Sequence, residues 1–198
     1  MTEEYSLVER ARNGETAAFR DLVERYKKKI YFLALDLTGN HHDAEDLSQE
    51  VFLKAYRSMK GFRGDAQFGS WLYRIAVNTN INQHRKKAFT ALKPQECMEE
   101  MNQDQISLSR SGIHGDPETQ ADAGLIRKHI DRAMDRLSPH ERCVFVLRHY
   151  NDFPLKDIAE IMSISKGTVK STLFRTLKKL QKELSFYRQE LGLETSHE

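Results

Sequence analysis

Pro154-Leu155-Lys156-Asp157-Ile158-Ala159-Glu160-Ile161-Met162-Ser163-Ile164-Ser165-Lys166-Gly167-Thr168-Val169-Lys170-Ser171 decides how this chain reads. Leu155, Ile158, Ala159 and Met162 recur at helical spacing, which predicts a short packing helix, and Ser163-Ile164-Ser165 predicts a turn. A second helix begins at Lys166. At about 100° per residue, Val169, Leu173, Leu177, Leu180 and Leu184 form its inward stripe. Thr168, Ser171, Thr172, Arg175, Lys178, Lys179 and Lys182 fall opposite, and Lys166 to Lys182 carries six basic residues and no acidic one. Two helices joined by a tight turn, the second with a cationic outer face, predict a helix-turn-helix whose second helix enters a major groove. Short hydroxyls at its start suit close approach to bases and phosphates. Arg175, one turn beyond Ser171, suits a bidentate contact with guanine. Phe174, at the edge of this face, suits either a thymine methyl or a neighbouring helix.

Upstream, helical periodicity runs from Ser6 to Tyr56, with an expected capping box at Ser6 and Glu9 and breaks at Asn13-Gly14 and Gly39-Asn40. Projecting Asp43 to Arg57 on a helix puts Ala44, Leu47, Val51, Phe52 and Ala55 on a buried arc. Asp46, Gln49, Glu50 and Lys54 form the polar arc around Leu53. An exposed leucine ringed by polar groups has the make-up of a protein-docking patch, the apolar centre giving affinity and the rim giving register. After a break at Lys60-Gly61, Phe62 to Arg74 interleaves aromatic, basic and small residues. That mixture suits stacking on unpaired bases while arginines hold phosphates. Trp71 and Ile75 share a helix face expected in the core; Phe62, Arg63, Phe68, Arg74 and Asn78 are the candidates for strand contact. Arg85-Lys86-Lys87 adds a positive cluster suited to duplex phosphates or to a solvated helix end.

Between Ala88 and Gly124 the periodicity collapses among prolines, serines, glycines and acids, predicting a flexible linker. Helices resume near Leu125, and Ser138-Pro139-His140-Glu141 reads as an N-cap, a first-position proline and a capping glutamate. The chain is therefore expected to be all-α, with two small helical domains, residues 1–87 and 125–198, joined by the linker 88–124. Formal charge follows the same division, +3, −5 and +4 along the chain. Cys97 and Cys143 are far apart without metal or redox spacing, each reading as a small buried hydrophobe or a loop thiol. Nothing at the N-terminus resembles a signal peptide, so a cytoplasmic location is expected.

Three ordered blocks of this sequence resemble the extracytoplasmic-function (ECF) sigma factors of bacterial RNA polymerase, nearest the envelope-stress, sigma-E-like subgroup. Asp43 to Tyr56 is similar to region 2.2, which in that family binds a coiled coil of the polymerase beta-prime subunit. Phe62 to Asn82 is similar to regions 2.3 and 2.4, which melt and read the -10 promoter element. Leu137-Ser138-Pro139 onward, through Gly167-Thr168-Val169-Lys170-Ser171, is similar to region 4, which reads the -35 element. The resemblance implies a region 2 bundle and a region 4 helix-turn-helix, and a factor directing promoter-specific initiation without an enzymatic activity or cofactor of its own. Its candidate polymerase-docking residues are Asp46, Gln49, Glu50, Leu53 and Lys54. For the -10 element they are Phe62, Arg63, Phe68, Arg74 and Asn78, and for the -35 element Thr168, Lys170, Ser171, Phe174, Arg175 and Lys178. Implied partners are the beta and beta-prime subunits of core polymerase, promoter DNA as duplex and as non-template single strand, and an anti-sigma factor, which could hold the chain at the inner membrane. Thr172, Thr176 and Ser163 depart from residues frequent in the family, often arginine, alanine and glycine respectively.

Two other readings compete. A free-standing transcription regulator would use the helix-turn-helix but leaves the block Phe62 to Asn78 without a purpose. An enzyme would have to lean on His41-His42-Asp43 or Glu45-Asp46 as metal ligands. Neither has clear metal-ligand spacing, and neighbours on a helix do not converge easily on one ion.

Overall fold

The computed structural model describes residues 3–64, 67–91, 126 and 129–185, and all regular structure among them is helical. The linker call, residues 88–124, falls largely outside the described residues, as does Cys97.

In the first unit, α1 (Glu3–Arg12) leads through a turn at Asn13-Gly14 into α2 (Thr16–Thr38), which is followed by α3 (His41–Ser58). The Gly39-Asn40 joint closes one helix and opens the next. Gly39 takes φ +82° and donates its N–H to Leu35 O at 2.8 Å, a left-handed C-terminal cap that disfavours a Cβ. Asn40 then caps α3, its side-chain oxygen accepting the Asp43 N–H at 2.8 Å. The capping box expected at Ser6 and Glu9 does not form. Helix α1 already begins at Glu3, so Ser6 lies inside it, Glu9 pairs with Arg12 at 2.6 Å, and Glu3 and Glu4 complement the helix dipole instead.

A 3-10 turn, Met59–Gly61, precedes α4 (Phe68–Ala91). Gly69 lets the start of α4 lie against Tyr26, since a Cβ there would meet that ring at 3.0 Å. In the second unit a helix over 129–135, α5, is followed by α6 (Pro139–His149), α7 (Leu155–Met162) and α8 (Lys166–Glu183). The capping box at Ser138 does form: the Ser138 hydroxyl accepts the Glu141 N–H at 3.3 Å, and the Glu141 carboxylate accepts the Ser138 N–H at 2.9 Å.

Leu22, Ile30, Leu33 and Leu37 of α2, Leu47 and Val51 of α3, and Leu72 and Val77 of α4 are fully buried. At roughly 1.5–3 kcal/mol for each such side chain, this set dominates the stability of the first unit. Val144, Val146 and Leu147 of α6 play the same part beside Ile158 of α7 and Val169 of α8. The two units are not separate bodies on a string. Helix α4 packs on α6 and α7, α2 packs on α6, and the buried residues form one continuous cluster. Embraced on two sides, α4 buries Leu72, Ala76, Val77, Thr79 and Asn80. Trp71 and Ile75, expected in the core, are only partly covered.

Candidate nucleic-acid interface

The turn between α7 and α8 is made by Ser163 at φ 55° and Ser165, whose hydroxyl accepts the Thr168 N–H at 3.0 Å and so caps α8. Ser163 thus adopts a left-handed conformation that glycine would take at lower cost. From this start, Thr168, Lys170, Ser171, Phe174, Arg175 and Lys178 are all exposed. At 100° per residue they occupy an arc of roughly 160° on the outer side of α8. Phe174 is 60% exposed, and Lys178 Nζ sits 4.9 Å from its ring centroid, a cation–π contact that keeps the ring on the surface. Arg175 reaches back to the Thr172 hydroxyl at 3.4 Å.

Three expectations for α8 are corrected. Its buried arc is turned by about 55° from the leucine stripe, so Thr172 and Thr176 face inward and Leu177 is 43% exposed. The Thr176 hydroxyl donates to Thr172 O at 2.9 Å, which satisfies it within the helix. Lys179 does not serve the outer face: its Nζ lies 2.8 Å from the Glu141 carboxylate at the start of α6. Burial opposes ionisation of Glu141, but hydrogen bonds from Lys179 and Ser138 outweigh it and hold this carboxyl below its ordinary range. The ion pair therefore fixes α8 against α6.

On α3, the buried face is Ala44, Leu47, Ser48, Val51 and Ala55, while Asp46, Gln49 and Leu53 are exposed, Leu53 by 56%. Glu50 and Lys54 are half-buried and paired with each other at 2.7 Å. Two residues of α4 that the sequence did not single out hold them: Gln83 donates to Glu50 at 2.6 Å, and Lys54 donates to the Thr79 hydroxyl at 3.1 Å. The bond from Lys54 leads the forces that keep the Glu50 carboxyl below its ordinary range, ahead of the contribution from Gln83.

The aromatic and basic block divides. Arg63, Arg74 and Asn78 are exposed, but Phe62 and Phe68, expected to be free for strand contact, are 6% and 3% exposed. Their rings pack with Trp71 at centroid distances of 4.8 and 5.5 Å, and Phe68 also meets Tyr26 at 5.5 Å. Phe62 follows the 3-10 turn, where no helical period marks it as core, while Phe68 falls one turn before Leu72 on the buried face of α4. Burial with its hydroxyl bonded to Glu4 pushes the Tyr26 phenol up to about 12. Of the basic cluster, Arg85 and Lys86 lie along α4 and Lys87 pairs with Asp43 at 3.3 Å. His41 and His42 do not converge: the first meets the Tyr31 hydroxyl at 2.6 Å, and the second faces Asp46 at 3.8 Å. Among the described residues no group of three potential ligands could hold a metal ion, and no helix is long and apolar enough to cross a membrane. Cys143 is fully buried, and desolvation pushes its thiol up to about 12.

Known proteins share this arrangement. Residues 22–90 match the Sigma-70 region 2 family and residues 127–180 the Sigma-70 region 4 family. The ECF RNA polymerase sigma factor SigW of Bacillus subtilis is 34% identical over 181 residues, which covers 89% of this chain and 94% of that protein. The ECF RNA polymerase sigma-E factor of Escherichia coli is 34% identical over 173 residues, 85% of this chain and 87% of that one. In fold, the chain is similar to the sigma factor RpoE of Bartonella quintana, solved in complex with the anti-sigma factor NepR, with a TM-score of 0.64 over 84% of this chain and 96% of that one at 23% identity. It is likewise similar to CnrH, solved with the cytosolic domain of CnrY, with a TM-score of 0.62 over 90% and 95% at 21% identity. A region 2 helical bundle, a region 4 helix-turn-helix and relatives matched along nearly their whole length place this chain in the ECF RNA polymerase sigma factor family, as a sigma-E-like member.

Proposed function

We infer that this alternative sigma factor works by three contacts: α3 docks on core RNA polymerase, the first unit captures the opened -10 strand, and α8 reads the -35 duplex. It directs promoter-specific transcription initiation. The observation that carries the docking assignment is Leu53, more than half exposed at the centre of Asp46, Gln49, Glu50 and Lys54 on a helix whose other face is fully buried. Residues 1–87 would form the docking and -10 domain, residues 125–198 the -35 domain, and residues 88–124 the acidic connection.

In the -35 contact, Arg175 supplies the bidentate donor pair for a guanine edge, Ser171 and Thr168 supply hydroxyls, Lys170 and Lys178 neutralise phosphates, and Phe174 meets a thymine methyl. In the -10 contact, Arg63 and Asn78 reach the strand directly, and Arg74 joins them on leaving Glu160 O of α7, which it meets at 2.5 Å. Phe62 and Phe68 can take part only after leaving the core, so their part is to close its end until bases arrive. The chain supplies binding energy and leaves the chemistry to polymerase, so no enzymatic activity of its own is assigned. Relatives of the same fold solved with anti-sigma factors support an anti-sigma partner here, and the site of action is the cytoplasm.

The test is reconstituted transcription with Escherichia coli or Bacillus subtilis core polymerase on a pool of genomic fragments, with transcript ends sequenced. The wild type should start transcripts at a common sequence class. Combined Asp46→Ala, Gln49→Ala and Glu50→Ala should lose core association without loss of helix content. Full core binding by that triple variant would refute the docking role, and tight promoter binding without core enzyme would favour a free-standing regulator instead.

A further inference from the structure

Beside their apolar contact, α3 and α4 share a row of polar rungs. Lys87 reaches Asp43 at 3.3 Å, Gln83 Nε2 donates to Glu50 Oε2 at 2.6 Å, and Lys54 Nζ donates to Thr79 Oγ1 at 3.1 Å. Positions rise along α3 as they fall along α4, so the helices run antiparallel. Glu50 and Lys54 stand one turn apart, and so do Thr79 and Gln83, which lets the two pairs face each other. Within α3, Glu50 Oε1 meets Lys54 Nζ at 2.7 Å. The four side chains thus link Gln83 to Glu50 to Lys54 to Thr79, anchored at both ends on α4.

The fold itself has little need of these rungs. Leu47 and Val51 of α3 and Leu72 and Val77 of α4 are fully buried and already fix one helix against the other. The Glu50 and Lys54 side chains are 38% and 41% exposed, so solvent screens their attraction and it adds little stability. What the rungs set is direction. Glutamate and lysine have many rotamers in water, and a partner that engages them in one arrangement must otherwise order them on binding. Both residues flank Leu53, the exposed centre of the docking patch.

The two groups on α4 suit this task chemically. Gln83 is uncharged, so it orients the Glu50 carboxylate without neutralising it. Each oxygen of that carboxylate has one donor from within the chain, which leaves a further lone pair on each for donors of a partner. Thr79 is 2% exposed and offers Lys54 an uncharged acceptor from a fixed place. With Glu50 and Thr79 each taking one ammonium proton, the third is left for a partner.

We propose that Gln83 and Thr79 of α4 are positioning residues for polymerase docking: they hold the Glu50 carboxylate and the Lys54 ammonium, at the edge of the Leu53 patch, in the arrangement that core polymerase engages. This rests on the docking role of α3. Neither residue touches polymerase, and each acts through its partner on α3.

The test is equilibrium binding of the full chain to Escherichia coli core polymerase, with helix content and Tm measured alongside. Gln83→Met and Thr79→Val should each raise Kd about two- to tenfold, the cost of ordering a side chain that is no longer held in advance. Thr79→Ser, which keeps the hydroxyl, should bind as the wild type does. The effects should vanish where the partner is already gone: Gln83→Met should add nothing in a Glu50→Ala chain, nor Thr79→Val in a Lys54→Ala chain. A general loss of folding would instead persist in those backgrounds, and equal fold-losses with and without the partner overturn the proposal. Unchanged affinity in Gln83→Met and Thr79→Val, where Glu50→Ala does weaken binding, overturns positioning and leaves docking through α3 standing. If Glu50→Ala combined with Leu53→Ala binds core polymerase as the wild type does, the docking role itself falls.

Discussion

Glu141 shows how one side chain serves two helices. It closes the capping box of α6 and receives Lys179 from α8, so the recognition helix is braced by a carboxylate with a side chain only 11% exposed. Glu141→Gln should keep the cap and lose the ion pair, costing about 1 kcal/mol at neutral pH, since half-exposed Lys179 is partly screened. The carboxyl is held below its ordinary value of 4.5 in the folded chain, so its contribution is complete above that value and fades as pH falls through the lower folded one. The gap in Tm between wild type and variant should therefore be constant around neutrality and close under acid; a gap that widened on acidification would rule out the pair. On the outer face, Arg175→Ala should cost about 1–3 kcal/mol at a single base position, whereas Lys170→Ala should weaken every sequence alike and lower the salt slope by about one. Holoenzyme binding to a randomised upstream element separates the two, and uniform weakening by Arg175→Ala would remove it from base reading.

Helices were largely legible, because their ends are written in local chemistry. Gly39-Asn40 and Ser138 to Glu141 behave as their residue types dictate. What local pattern could not give was the rotation of α8. The buried arc takes in Thr172 and Thr176 as well as Val169 and Leu180 of the stripe, and burial of Thr176 is tolerated because its hydroxyl is satisfied within the helix. Nor did it reveal Phe62 and Phe68 as core: Phe62 lies just past a 3-10 turn where no period applies, whereas Phe68 opens α4 one turn before buried Leu72, a helical spacing that the flanking glycines obscured. The Gly39 joint offers a quantitative check against Gly14. Both have positive φ, +82° and +93°, so alanine strains each. At Gly14 a new Cβ meets nothing within 4 Å, but at Gly39 it meets the Arg142 guanidinium at 3.0 Å. Gly14→Ala should cost about 1 kcal/mol and Gly39→Ala more, with a drop of several degrees in Tm and loss of the Arg142 contact to Asp36 O as well. Equal costs at the two sites would show that Arg142 gives way freely.

The arginine contacts between the units were invisible to sequence reading because they join a guanidinium to a backbone carbonyl, which any residue supplies. Asp36 and Arg142 are 106 positions apart, and nothing in their neighbours marks the pairing. The consequence is thermodynamic. When two helical units share a buried seam, unfolding one exposes apolar surface and unpaired polar groups on the other, so their free energies couple. Cys143, Asn80 and the Tyr73–Phe153 contact all lie on that seam, within or against the continuous core. Calorimetry of the full chain should accordingly show one transition whose calorimetric and van't Hoff enthalpies agree. Combining Arg142→Ala with Asn151→Ala removes the guanidinium bonded to Asp36 O and the acceptor of the Tyr73 hydroxyl while leaving the fully buried hydrophobic side chains of each unit in place. That variant should unfold in two resolved steps, the second unit first, because among the described residues it has fewer large, fully buried side chains. Two transitions already present in the wild type would mean that the seam carries too little free energy to couple the units.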